Sequence, residues 1–370
     1  MKGLYIHIPF CKSICSYCDF TKMVSSVYQE KYIKKLIEEI SLNESKLNDI
    51  DTIFIGGGTP NSIDLNLLEL LLNKLSPYLN KSTENSIELN PELINEDLVI
   101  LLKKYKINRI SIGVETFNDE SLKLLNRNHK KIDVINAINL LKKYEFNNIN
   151  IDLIFAIPNT NLLDIKNDLD EFIKLNINHI SYYDLILEEK TVFYHLYKNN
   201  KLNLVDEDME SKMYDFINDY LKNHGYIHYE ISNYAKCGFE SLHNLKYWNI
   251  DEYIAFGLGA SSYLKYDDKS YIRYKNTISM TEYLNNSFIK EKDIISLDER
   301  KKEYLMLGLR KVNGVSINRY KELFNSDIFN DFNFQKLIKK DLIEIDNDYI
   351  RIKKDKLFLS NLVFMEFVGD

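Results

Sequence analysis

Three of the chain's four cysteines fall within eight positions, in Cys11-Lys12-Ser13-Ile14-Cys15-Ser16-Tyr17-Cys18. A disulfide framework spreads an even set of cysteines along the chain, so this clustering points to metal or cluster ligation. Three thiolates on one short loop can each hold an iron of a cubane iron–sulfur cluster. A closed electron-transfer cluster needs a fourth thiolate. With three, one iron is left open to an external chelator that offers an amine and a carboxylate. The competing chemistry is a zinc knuckle using the triad and His7, since three cysteines and a histidine are a recognised zinc set. His7 lies inside a predicted strand, however, and no second ligand pair follows. Cys237, beside Gly238 in a predicted loop, reads as an uninvolved free thiol.

A second chemical signal follows on the next predicted strand. Ile53-Phe54-Ile55-Gly56-Gly57-Gly58-Thr59-Pro60 ends in a glycine run, where backbone can approach a ligand closely. A tight strand-to-helix turn accounts for one or two of these glycines, but not for the whole run.

The elements that must position these residues alternate in type. Strand candidates are Leu4–Ile8, Thr52–Ile55, Ser86–Leu89, Arg109–Val114, Ile149–Leu153 and His179–Ile186, each rich in Ile, Val, Phe or Tyr, as fits strands buried between helical layers. Between them lie amphipathic helices. Ser26-Val27-Tyr28-Gln29 has the form of a capping box, opening a helix whose apolar face is Tyr28, Tyr32, Ile33, Leu36, Ile37 and Ile40. Leu68, Leu71, Leu72 and Leu75 mark the second helix; 119–144 carry two more and 162–175 another. Six βα units without a break predict an incomplete (β/α)6 TIM-like barrel over 1–186. Residues 187–297 read as an α+β extension, with a helix over 207–223, a strand over Tyr226–Ile231, an aromatic loop over 243–249 and a glycine-punctuated segment Phe256–Tyr263. Residues 298–370 read as a small winged-helix-like domain, with helices near 298–311, 316–323 and 332–339 and a hairpin over 342–352 turning at Asp346-Asn347.

The totals exclude several classes. With 370 residues, 45% hydrophobic and 28% charged, the chain has the composition of a globular protein with room for two or three domains. A formal net charge of −7 argues against nucleic acid as the partner, and the Lys336/Lys339/Lys340 cluster reads as a solvated face. No signal peptide and no apolar run of about 18 residues is present, so a cytoplasmic location is expected, with any membrane contact made through a partner.

A C-x-x-x-C-x-x-C motif after an N-terminal strand, with a glycine motif on the next strand, resembles the radical S-adenosylmethionine (SAM) superfamily. Tyr5-Ile6-His7-Ile8-Pro9-Phe10-Cys11 is similar to the opening motif of the oxygen-independent coproporphyrinogen III oxidase family and its heme chaperone branch, HemW. Further similar blocks follow in order: Glu88-Leu89-Asn90-Pro91, Asn108–Val114, Phe117-Asn118, Asn126-Arg127, Ile151–Ile154, Glu230–Ala235 and His243-Asn244-Leu245-Lys246-Tyr247-Trp248. The resemblance implies one [4Fe–4S] cluster on Cys11, Cys15 and Cys18, with an open iron for SAM. It implies SAM contacts from Tyr5, Tyr17, Gly57, Gly58, Thr59, Glu88, Glu115, Arg127 and Asp152. Arg127 can grip a carboxylate with its planar fork, and Asp152 suits ribose hydroxyls. Two departures stand out. Glu115 replaces the usual glutamine and Ala156 a common glycine. A carboxylate at 115 beside a substrate carboxylate would cost about 4 kcal/mol at ~4 Å and an effective dielectric of ~20; beside the sulfonium or ribose it would do no harm.

Within that family the resemblance favours the chaperone. Cys18-Asp19-Phe20 lacks the further cysteine of the oxidases, and Cys11 arrives without their long preceding extension. His243, with Tyr247 and Trp248, resembles the motif associated with heme, and imidazole is a common haem ligand; a hydrogen-bonded structural histidine is the competing reading. The expected function is binding heme as cargo and delivering it to an acceptor hemoprotein, with cluster-dependent homodimerisation. The alternative is oxidative decarboxylation of coproporphyrinogen III through a deoxyadenosyl radical. A radical SAM enzyme of unrelated substrate is a third, since fold alone does not fix chemistry.

Overall fold

The computed structural model describes residues 1–368. Its centre is six parallel strands laid side by side in chain order: β1 (Lys2–Ile8), β2 (Ile50–Gly57), β3 (Glu84–Leu89), β4 (Arg109–Glu115), β5 (Asn148–Phe155) and β6 (His179–Asp184). Parallel neighbours need crossovers, supplied by helices α1 (Gln29–Leu42), α2 (Leu65–Leu79), α3 (Glu96–Lys104), α4 (Asp119–Leu124), α5 (Lys131–Lys143) and α6 (Leu162–Leu175). The predicted α2 stripe of Leu68, Leu71, Leu72 and Leu75 is buried. In α1, Tyr32, Ile33, Leu36 and Ile40 are buried and Ile37 packs beside them, whereas Tyr28 is exposed. The predicted capping box is absent. The helix begins at Gln29 and no side chain caps it, because Val27 and Tyr28 both face solvent and no core rewards an earlier turn.

The extension does not stand apart from this sheet. After α7 (Val192–Lys198) and α8 (Glu207–Asn223), β7 (Ile227–Glu230) and β8 (Asn233–Ala235) form a hairpin whose second strand pairs antiparallel with β6. A short helix α9 (Leu242–Trp248) precedes β9 (Tyr253–Phe256), which pairs parallel with β1. Strands β10 (Ser261–Lys265) and β11 (Tyr271–Asn276), helix α10 (Met280–Leu284) and β12 (Ile289–Ile295) complete that side. The result is one twelve-stranded mixed sheet, open between β12 and β7, and so a barrel that does not close. Residues 243–249, predicted as a loop, are mostly helix α9, and β6 ends at Asp184 rather than Ile186.

The central strands were expected to be apolar on both faces, and they are not. Ile110, Ile112 and Val114 of β4, Ile149, Ile151 and Leu153 of β5, and Ile180 and Tyr182 of β6 are buried in the main core. The alternate residues, Arg109, Ser111, Gly113 and Glu115, then Asn150 and Asp152, then His179, Ser181 and Tyr183, line an interior cavity. Successive strand residues point to opposite faces, so one polar residue in two is enough to make a polar interior.

The last part of the chain holds α11 (Leu297–Gly308), β13 (Val315–Ser316), α12 (Ile317–Phe324), α13 (Ile328–Asp331), α14 (Gln335–Lys339), a hairpin of β14 (Ile343–Asp346) and β15 (Tyr349–Ile352), and α15 (Ser360–Phe364). β13 joins the hairpin as a third antiparallel strand, giving helices and a small sheet as expected of a winged helix. This segment is laced to the sheet's floor. Ile231 N–H donates to Arg310 O (3.1 Å), Val312 N–H donates to Tyr229 O (3.1 Å), Lys311 Nζ donates to Asn249 Oδ1 (2.6 Å), and the Arg310 guanidinium lies 4.6 Å from the Trp248 ring centre. Among the described residues no helix is long and apolar enough to cross a membrane.

Candidate functional site

A cavity of about 670 Å³ runs inside the open barrel, and every predicted site residue lines it. The loop after β1 brings Cys11, Cys15 and Cys18 to one wall. It is held by Cys11 N–H donating to Met23 O (3.0 Å) and Ser16 N–H to Leu125 O (3.0 Å). Thr59 Oγ1 donates to Cys11 Sγ (3.6 Å) and Arg127 Nη1 to Cys15 Sγ (3.5 Å). At Gly58 a Cβ would stand 2.9 Å from Cys11 Sγ and 2.8 Å from Phe10 O, so only glycine lets the second strand pass this close to the thiols. Burial pushes the Cys11 and Cys18 thiols up, so that without a partner they stay protonated. Three thiols on one wall, with donors aimed at two of the sulfurs, fit an iron–sulfur cluster. His7 does not complete a zinc site: Nε2 is 2.8 Å from Thr21 O and Nδ1 is 3.0 Å from the Tyr5 hydroxyl.

Next to the thiols lies a ring of buried carboxyls. Glu88 Oε2 accepts from Gly57 N–H (2.9 Å); burial, with Asp152 and Glu115 nearby, pushes its carboxyl up to about 8. Gly57 needs its φ of +117°, and a Cβ there would lie 2.6 Å from the His7 ring. Asp152 accepts from Ser111 Oγ (2.9 Å) and Asn150 Nδ2 (2.9 Å), and burial raises it above the usual carboxylate range. Glu115 is raised by burial too, against the pull of Arg127, whose Nη1 is 3.6 Å from Glu115 Oε1; its other neighbour is the Tyr17 hydroxyl. Arg127 Nη2 donates to Gly113 O (2.6 Å) and Asn90 Oδ1 (3.1 Å). Burial works against the Tyr5 and Tyr17 phenolates and keeps both hydroxyls protonated. Such a site offers donors and acceptors of both signs to a zwitterionic ligand with hydroxyls. Ala156, on the strand exit after β5, takes φ +59°, which explains why glycine suits that position.

His243 sits at the far end, on the inner face of α9. Ser241 Oγ accepts from Asn244 N–H (3.3 Å), and Glu84 accepts from the Leu242 (3.0 Å) and His243 (2.9 Å) amides, capping this short helix from across the barrel. The His243 ring lies between Thr52 Oγ1 (2.9 Å from Nδ1) and the Tyr247 hydroxyl (2.9 Å from Nε2), with 1% exposure. Burial, helped by Lys246, pushes its pKa down to about 3, so the ring is neutral.

Several lining residues were not singled out from the sequence. His179 spans Asn150 Oδ1 (2.6 Å) and the Tyr229 hydroxyl (2.8 Å), and Ser181 donates to the same Asn150 oxygen (3.2 Å). The signal was present as period-two polarity in β4, β5 and β6. Cys237 is exposed and outside the cavity.

Comparison with known proteins places this geometry among relatives. Residues 5–172 match the radical SAM superfamily model, and residues 295–355 match the HemN C-terminal domain. The chain is 37% identical to the heme chaperone HemW of Lactococcus lactis subsp. lactis over 99% of this chain and 97% of that one. It is 35% identical to the heme chaperone HemW of Bacillus subtilis over the full length of both chains, and 30% identical to that of Escherichia coli over 83% and 82%. Among solved structures, the coproporphyrinogen III oxidase (HemN) of Escherichia coli, a radical SAM enzyme, superposes with a TM-score of 0.83 at 20% identity, covering 99% of this chain and 89% of that one. At that identity the likeness is one of fold.

Proposed function

The chain belongs to the heme chaperone HemW family within the radical SAM superfamily, and from that premise we propose that it binds heme as cargo and hands it to an acceptor hemoprotein. The family implies a [4Fe–4S] cluster and SAM. Cys11, Cys15 and Cys18 would hold one cluster per chain, with the fourth iron left to SAM. Tyr5, Tyr17, Gly57, Gly58, Thr59, Glu88, Glu115, Arg127 and Asp152 would hold SAM. When bound, the cluster would supply one electron at a time to the SAM sulfonium. Around it, Gly57 and Gly58 clear room for the ligand's backbone-facing end. Asp152, oriented by Ser111 and Asn150, accepts from hydroxyls, and Glu88, whose carboxyl burial shifts up, accepts from Gly57 N–H beside it.

The observation that carries the reading is convergence. Residues drawn from positions 5 to 243, picked for this role from sequence motifs, meet in one cavity. Relatives aligned over their full length bear the chaperone name, and Asp19-Phe20 stand where the oxidases carry a further cysteine. For the cargo, the motif nominates His243. Coordination through Nε2 would require Tyr247 to release it. The chaperone is further proposed to act in the cytoplasm, as a homodimer, and to reach a membrane only through its acceptor. The proposed division is a barrel over 1–186, an extension over 187–297 and a C-terminal domain from 298.

Anaerobic reconstitution should bind about four irons per chain, and SAM should perturb the cluster's spectrum. Stoichiometric zinc, or no metal, would overturn the cluster assignment. Incubation with coproporphyrinogen III, dithionite and SAM should leave the porphyrinogen intact; protoporphyrinogen in the product would establish the oxidase instead.

A further inference from the structure

The three thiols do not have equivalent surroundings. Cys11 receives a neutral hydroxyl from Thr59. Beside Cys18, the half-buried Lys22 ammonium donates to the backbone carbonyls of Cys18 and Phe20 and also lies against the Cys18 thiol. Cys15 faces a deeply buried cation, with Arg127 Nη1 3.5 Å from its sulfur. That guanidinium is fixed. Its Nη2 is tied to Gly113 O (2.6 Å) and Asn90 Oδ1 (3.1 Å), and its side chain is only 8% exposed, which limits screening by solvent. Glu115 sets its carboxyl 3.6 Å from Nη1 of the same guanidinium.

We propose that Arg127 and Glu115 act as an opposed pair that sets the reduction potential of the cluster held by the cysteine triad. The inference rests on the cluster reading above. Reduction adds one negative charge to the cluster. A charged donor on a ligand sulfur stabilises that state and raises the potential, and hydrogen bonds to cluster sulfurs are a recognised lever on it. Glu115 approaches the same nitrogen, Nη1, that donates to Cys15, so negative charge on its carboxyl partly cancels the positive field and lowers the potential again. In water such terms would be screened; at this burial they act across a medium of low effective dielectric. In this role Arg127 and Glu115 act through Cys15, separately from the SAM contacts proposed for them above.

The test is an EPR-monitored redox titration of the reconstituted protein without SAM, so that loss of SAM contacts cannot enter. R127Q should shift the midpoint to more negative values and E115Q to more positive ones, with R127K between R127Q and the parent. A purely structural role would move both single variants the same way or neither. An unchanged or positive shift in R127Q, or an unchanged or negative shift in E115Q, overturns the proposal. Should R127Q fail to hold iron, the sign of the E115Q shift decides alone. A parent that holds no cluster would instead sink the function proposed above.

Discussion

Replacing His243 with alanine tests whether this histidine is a building element of the barrel floor before it is anything else. The imidazole joins Thr52 on β2 to Tyr247 on α9, both at 2.9 Å, and packs 5.3 Å from the Phe54 ring. Its removal orphans two hydroxyls, each worth ~1–3 kcal/mol when buried without a partner. Thr52 is 1% exposed and pays near the top of that range. Tyr247 borders the cavity, where water can reach it, and falls near the bottom. The sum is about 2–4 kcal/mol of lost stability. Burial holds the folded ring neutral with a pKa near 3, whereas the unfolded imidazole takes up a proton near 6.5, so the loss should be full at pH 8 and shrink by a little under ~1 kcal/mol on going down to pH 6. Urea unfolding followed by circular dichroism reads it as a lower midpoint at unchanged slope. A His243→Ala protein within ~0.5 kcal/mol of the parent would refute the reasoning. Heme titration of the Tyr247→Phe variant separates packing from ligation. It keeps the ring but frees Nε2, so it should bind heme at least as tightly as the parent if His243 reaches the iron.

Further outcomes follow from the same geometry. Gly58→Ala puts a Cβ 2.8 Å from the Phe10 carbonyl oxygen, which is backbone and cannot swing away, so iron and sulfide per reconstituted chain should fall well below the parent's. Cys237→Ser, outside the cavity, should leave iron content unchanged. Glu39, buried against Gly257, Asn276 and Tyr283, is pushed up to about 7 by burial from an ordinary 4.5. Between those values the folded chain binds more protons than the unfolded one, so stability falls as pH rises through this window and levels off above it. The Glu39→Gln variant lacks this component, so its stability relative to the parent should improve from pH 5 to pH 8 in paired urea titrations; a difference independent of pH would contradict the assignment.

The local grammar of the chain was readable where one element decides its own structure. The six strands and their helices follow from apolar runs and i, i+4 spacing, and the cysteine and glycine motifs fall on the turns those elements end in. What escaped the sequence was decided at long range. Helix α9 is too short to form alone and is capped by Glu84, from β3. β9 (Tyr253–Phe256) finds its partner in β1 at the start of the chain, which no periodicity within either strand discloses. The polar lining was legible in principle as alternation in Arg109, Ser111, Gly113 and Glu115, but apolar composition on the outer face drew attention away from it. Glu115 stood out as a departure, yet its pairing with Arg127 depended on a left-handed backbone, φ +65°, at the strand's end.

The stitching of residues 310–312 across the barrel floor has a mechanical meaning. Arg310 lies over Trp248 and Lys311 grips Asn249, so the C-terminal segment holds the far end of the very helix whose inner face closes the cavity. A macromolecule that seizes this tail has a handle on the cavity's bottom plate.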